Sequence, residues 1–178
     1  MTKRSPALPV LALLLVSCGY RPLYGGPSPR ALHVHLSRAN VADAVVATEV
    51  ERGVREALSR EGALLAGEGY PRLDIEVLRI DETSEGEAAT PFLTPQARGT
   101  RLGVLARAYV EAREGAPSEA DTGDMRASEL VTSPVGDPKA ELFGREDTLR
   151  AVARRLGQKL VARALGHPAA SEIEAADP

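Results

Sequence analysis

Residues 100–113 constrain the fold of this chain more than any other stretch. Leu102, Val104, Ala106, Ala108 and Val110 alternate there with Arg101, Arg107, Tyr109 and Glu111. Successive side chains of a strand point to opposite sides, so the pattern describes a strand with one dry face and one wet face. Such a strand cannot stand alone, because its apolar side needs a second layer over it. Two segments offer that layer. Val46, Val50, Val54 and Leu58 recur at helical spacing between Val41 and Glu61, beside Glu49, Glu51, Arg52, Arg55 and Glu56. Leu149, Val152, Ala153, Leu156, Leu160 and Leu165 do the same between Glu146 and Leu165. Asn40 is the expected cap of the first helix and Gly62 its stop, while Gly166 and Pro168 end the second.

Three further strands follow from alternation. Leu32, Val34 and Leu36 alternate with His33 and His35; Leu73, Ile75 and Val77 alternate with Asp74 and Glu76. The phase slips at Leu78 and Ile80, which points to a bulge or to burial of both faces. Met125 to Thr132 is a fourth, weaker strand. Asp81 to Pro95 is polar and broken by proline, and reads as a loop or wide hairpin connection; Glu114–Gly123 and Ser133–Gly144 read as loops. The order β-α-β-β-β-α over residues 31–166 predicts an α+β two-layer sandwich. It has one mostly antiparallel sheet of about four strands, with both helices on one face. The other face, with Arg101, Leu105, Arg107 and Tyr109, is left for solvent or a partner.

Hydrophobic residues make up 43% of the chain and aromatic ones only 3%, with no Trp, so the core must be aliphatic. Each such side chain contributes about 1.5–3 kcal/mol when fully buried, which suffices. The net charge of −3 argues against nucleic acid as a partner. Any anionic ligand must be met by a local cluster of Arg against the overall field.

The N-terminus has a separate logic. Lys3 and Arg4 precede an apolar run from Ala7 to Val16, the layout of a secretory leader. The run is well short of the roughly 20 residues a spanning helix needs. Leu15-Val16-Ser17-Cys18 resembles the lipobox of bacterial lipoproteins, which implies removal of residues 1–17 and acyl lipid on Cys18. Cys18 is the only cysteine, so no intramolecular disulfide can form. Two or more acyl chains make a stable anchor where one is marginal. Residue 19 is Gly rather than Asp, and the resemblance then implies sorting to the outer membrane. Residues 18–30, dense in Pro and Gly, form an extended tether. The small, acidic tail 167–178 is expected to lack regular structure.

Cys18-Gly19-Tyr20-Arg21-Pro22-Leu23-Tyr24-Gly25 resembles the start of mature LPS-assembly lipoproteins of the LptE type. The order of elements from about residue 31 to 165 is similar to theirs as well. The resemblance implies a non-enzymatic subunit of the lipopolysaccharide translocon, anchored by lipid on the periplasmic side of the outer membrane. Its implied partners are an LptD-type β-barrel, whose assembly it assists, and lipopolysaccharide on its way to the cell surface. That ligand carries phosphates and acyl chains, so a binding patch should join Arg groups to apolar surface. Arg98, Arg101 and Arg107 on the third strand and Arg126 on its neighbour are the candidates; an ordinary solvated face is the alternative. A second reading is a periplasm-facing lipoprotein that binds a lipid or small ligand as accessory to a lipid transporter. It calls for a closed apolar pocket.

Catalytic and metal chemistry find little support. His33 and His35 share one side of a strand as half a metal site does, but no cluster completes it, and His167 stands apart. Asp121-Thr122-Gly123 is better explained by turn chemistry than as a protease triplet. No glycine-rich loop follows a strand, and no nucleophile–base–acid grouping can be assembled. The expectation is a protein without catalysis and without a cofactor beyond the lipid on Cys18.

Overall fold

The computed structural model describes residues 30–89, 95–134 and 137–167. The leader, Leu15, Val16, Ser17 and Cys18, the tether before Arg30 and the tail from 168 onward lie outside the described residues. The elements are β1 (His33–Ala39), α1 (Ala44–Arg60), β2 (Arg72–Ala89), β3 (Pro95–Glu111), β4 (Ala120–Asp121), β5 (Met125–Pro134) and α2 (Pro138–Ala164). β1 lies parallel to β2, joined to it through α1, and β2 lies antiparallel to β3. The two-residue β4 and the longer β5 both pair antiparallel with the far side of β3, so they form one broken edge. The α+β order expected from sequence is the order observed.

Both helices cover the same face. Leu73, Ile75, Val77, Leu102, Val104, Ala106 and Ala108 meet Val50, Val54, Leu58, Val152, Leu156 and Leu160, all with no exposed surface. The helices also meet each other closely at two glycines. A Cβ on Gly53 would sit 3.0 Å from the Arg154 Cα and closer still to its carbonyl. One on Gly157 would sit 2.8 Å from the Val54 nitrogen. Any larger residue at either position would force the helices apart. Beside this contact, nearly buried Glu49 bridges the pair, accepting from Arg154 Nη2 at 2.8 Å and facing Arg52 Nη1 at 2.9 Å.

Four boundaries differ from the sequence reading. Asn40 does not cap α1: its backbone N–H donates to the Val77 carbonyl at 2.8 Å, prolonging the sheet, and Asp43 caps instead, accepting from Val45 N at 2.9 Å. Asp81–Ala89 is strand rather than loop, because β2 keeps pairing with β3 as far as Ala89 opposite Pro95. Cross-strand pairing holds this polar arm, whose residues 82–85 are exposed. The segment Ser133–Gly144 is likewise mostly ordered: β5 reaches Pro134, and α2 starts at Pro138 behind Asp137, whose side chain accepts from Ala140 N at 3.0 Å. An Asp cap followed by Pro at the first helical position is a start signal. Glu114–Gly123 contains the short β4. The slip at Leu78 is a register shift between Val77 and Arg79, a bulge.

The register defines two ends. At the base, His33 lies opposite Arg72, and Arg72 opposite Glu111, so the chain enters the fold there at Arg30, whose guanidinium pairs with Glu119. At the tip, Ala89, Pro95 and Pro134 come together. α2 has 27 residues against 17 in α1, about 40 Å against 25 Å. Its first turns therefore run past α1, leaving Leu142 and Phe143 exposed.

Candidate functional site

The sheet face away from the helices carries Arg101, Arg107 and Arg126, three of the four residues that sequence reasoning proposed for binding. Odd steps of β3 point there, and β2 supplies a carboxylate for each arginine. Arg107 lies directly opposite Glu76 and bonds it, with Nε to Oε2 at 2.9 Å. Arg101 holds Glu85 by two donors, Nη2 to Oε2 at 2.9 Å being one. Arg126, on β5 opposite Leu105, reaches across Gly103 to Asp81 at 3.5 Å. Arg98 takes its place in β3 opposite Glu87 and Ser133; its side chain lies outside the described residues.

The geometry is a ladder of neutralised pairs rather than a cluster of free cations. Arg101 and Arg107 stand six residues apart on one strand, about 20 Å, with Leu105 and Arg126 between them. Each of these arginine side chains keeps roughly two-fifths of its surface in solvent. The hydrogen bond to Glu85, and then its charge, push Arg101 above its ordinary pKa; Glu76 acts on Arg107 in the same way. In return, the hydrogen bond from Arg101 holds the Glu85 carboxyl below its ordinary value. An anion arriving here meets cations already engaged, so it must share or displace a carboxylate.

Sequence reasoning missed the most buried charge. Asp74 has no exposed surface, yet it points to this face near the base. His35 Nδ1 approaches its Oδ1 at 2.6 Å and Arg72 Nε donates to its Oδ2 at 2.8 Å. Arg72 donates onward to Glu111 at 2.9 Å and lies 4.5 Å from the centre of the Tyr70 ring. A carboxylate only accepts, so Nδ1 of His35 carries the hydrogen. The signal was visible as Asp74 alternating with apolar neighbours, but its partners come from β1 and β3 and depend on register. The two strand histidines do not converge: His33 Nδ1 faces the Gly67 carbonyl at 3.2 Å instead. Among the described residues no group of three or more His, Cys, Asp or Glu is placed to hold a metal ion.

Asp121-Thr122-Gly123 is a turn, as expected. Asp121 Oδ1 accepts from Gly123 N at 2.8 Å, Gly123 has a φ of 64°, and Thr122 Oγ1 accepts from Ala108 N at 2.9 Å. The described grooves on the helix side are lined largely by charged and polar residues: Arg55, Glu56, Ser59, Arg60 and Gln158 in one, Arg145, Glu146 and Arg150 with Asp43 in another. Among the described residues no helix is long and apolar enough to cross a membrane.

No protein-family model and no curated protein matches this chain. Solved structures do resemble it, and several of these neighbours are bacterial lipoproteins. A minor lipoprotein from Acinetobacter baumannii aligns with a TM-score of 0.52 at 13% identity, over 77% of this chain and 93% of that one. A lipoprotein B from Nitrosomonas europaea aligns at 0.46 and 12%, over 77% and 88%. The rare lipoprotein B from Shewanella oneidensis aligns at 0.38 and 11%, over 79% and 99%. At such identity, the first of these is a likeness of fold.

Proposed function

We propose that this chain is a lipid-anchored, non-catalytic subunit of the lipopolysaccharide translocon at the outer membrane, of the LptE type. In this reading it stands on the periplasmic side, helps an LptD-type barrel to assemble, and assists insertion of lipopolysaccharide at the cell surface. The observation that carries the reading is the run Cys18 to Gly25, a lipobox cysteine followed by Gly-Tyr-Arg-Pro-Leu-Tyr-Gly. Two others support it: the two-layer fold is like that of the minor lipoprotein, and the chain enters the fold at the base, opposite the long arm. A lipid on Cys18 would then hold the base toward the membrane. The ladder of Arg101, Arg107 and Arg126, with Leu105 and Leu130 beside it, offers donors to phosphate and apolar surface to acyl chains.

Affinity purification from detergent-solubilised outer membrane, read by mass spectrometry, tests the proposal. The expected result is co-purification of a large β-barrel, whose folded form declines when this chain is depleted. Recovery of inner-membrane transporter components alone would instead favour a role as accessory to a lipid transporter. For the ligand, Arg101→Ala with Arg107→Ala should weaken lipopolysaccharide binding; undiminished binding would remove the ladder from the account.

A further inference from the structure

The sheet has two outer edges, and they are built differently. β1 is seven residues long, and its register breaks between Leu36 and Arg38. β5 is ten residues long and runs against β3 without a break, from Met125 opposite Ala106 to Pro134 opposite Ala97. It contains no Lys, and no Pro before its last residue. Edge strands are usually blunted by bulges, Lys or Pro, because a long straight edge presents unpaired N–H and C=O groups to any extended chain. Among the described residues no strand lies on the outer side of β5. Leu130, 44% exposed, sits on this strand on the uncovered face.

We propose that the outer edge of β5 accepts an extended strand from a partner protein, with a carboxylate facing Arg126 and an apolar side chain facing Leu130. Main-chain bonds along the edge supply affinity, and alternate side chains supply choice. On the uncovered face β5 shows Arg126, Ser128, Leu130 and Thr132 in turn. An added strand places its own side chains about 4.5–5.5 Å from these. Arg126 keeps 46% of its side-chain surface exposed and meets Asp81 only at 3.5 Å, where Arg107 holds Glu76 at 2.8 Å. Its five-donor fork can therefore take a second carboxylate. The same geometry argues against a second copy of this chain. Any pairing of β5 with β5 of a second copy that keeps the faces aligned sets Arg126 opposite Arg126, Ser128, Leu130, Thr132 or Pro134, none of which is acidic. The inference goes beyond the ladder's proposed role with lipopolysaccharide, and either can fail without the other.

The test uses the full chain and two ten-residue peptides of alternating Val and Thr, with Glu in one and Lys in the other at the middle of the Thr face, and Val in place of Thr four residues to either side of it to meet Leu130. Hydrogen exchange should slow at residues 125–134 with the Glu peptide and stay unchanged at 33–39. The Glu peptide should bind about fivefold more tightly than the Lys peptide. Arg126→Glu, on an exposed side chain, should reverse that preference, with unchanged exchange in the core strands confirming its fold. Protection at 33–39 instead, no protection at 125–134, equal binding of both peptides, or self-association through β5 without peptide would each overturn the proposal.

Discussion

On the helix-covered side of the sheet, Leu73, Ile75 and Val77 have no exposed surface; one residue along, Asp74, Glu76 and, past the bulge, Arg79 and Asp81 face the other way. The two faces share a backbone and differ in what holds them. The covered face needs only aliphatic residues of suitable size, since the hydrophobic effect is non-directional. The uncovered face needs the register itself, because Glu76 meets Arg107, and Arg126 passes over Gly103 to Asp81, in one pairing of strands only. A slip by one residue would turn every one of these side chains into the core. One face therefore supplies stability, while the other specifies the pairing and remains available for contact.

Breaking the covered face should have the largest effect. Leu156→Ala removes a side chain with no exposed surface, and equilibrium urea unfolding should show a loss of about 2–5 kcal/mol. Overpacking comes next. Gly157→Ala drives a methyl into the α1 backbone, at a cost of about 1–3 kcal/mol in the same measurement. The uncovered face should respond least, and its response should depend on pH. The hydrogen bond from Arg101 lowers the Glu85 pKa in the folded chain, so on acidification the unfolded chain takes up this proton first. The pair's contribution is whole above the unfolded carboxylate pKa and is lost as pH falls through the lowered folded value. Glu85→Gln should thus flatten the acid limb of a melting-temperature profile slightly, and added salt should erase the difference. A Glu85→Gln effect as large as that of Leu156→Ala would collapse the distinction between the faces.

The covered face was legible because burial leaves a period. Leu102 to Val110 and Val46 to Leu58 announce strand and helix through spacing alone, and both elements stand where that spacing put them. The polar arm was not legible: Asp81–Ala89 has no dry side to generate alternation, and its pairing with β3 is a non-local fact. The start of α2 was concealed by Pro138 and Gly144, residues that break structure elsewhere; the Asp137 cap was the signal to weigh against them. On the uncovered face, alternation placed Arg101 and Arg107 correctly but said nothing of Glu85 and Glu76, which lie sixteen and thirty-one residues away in the chain. The Asp74 cluster was hidden for the same reason, being assembled from three strands.

The proposed function turns on one sulfur atom. Intact-mass and fragment spectra of the chain, isolated from membranes of a Gram-negative host, should show a polypeptide beginning at Cys18 with acyl chains attached to it. A polypeptide that retains Met1 and carries an unmodified Cys18 thiol would contradict the account.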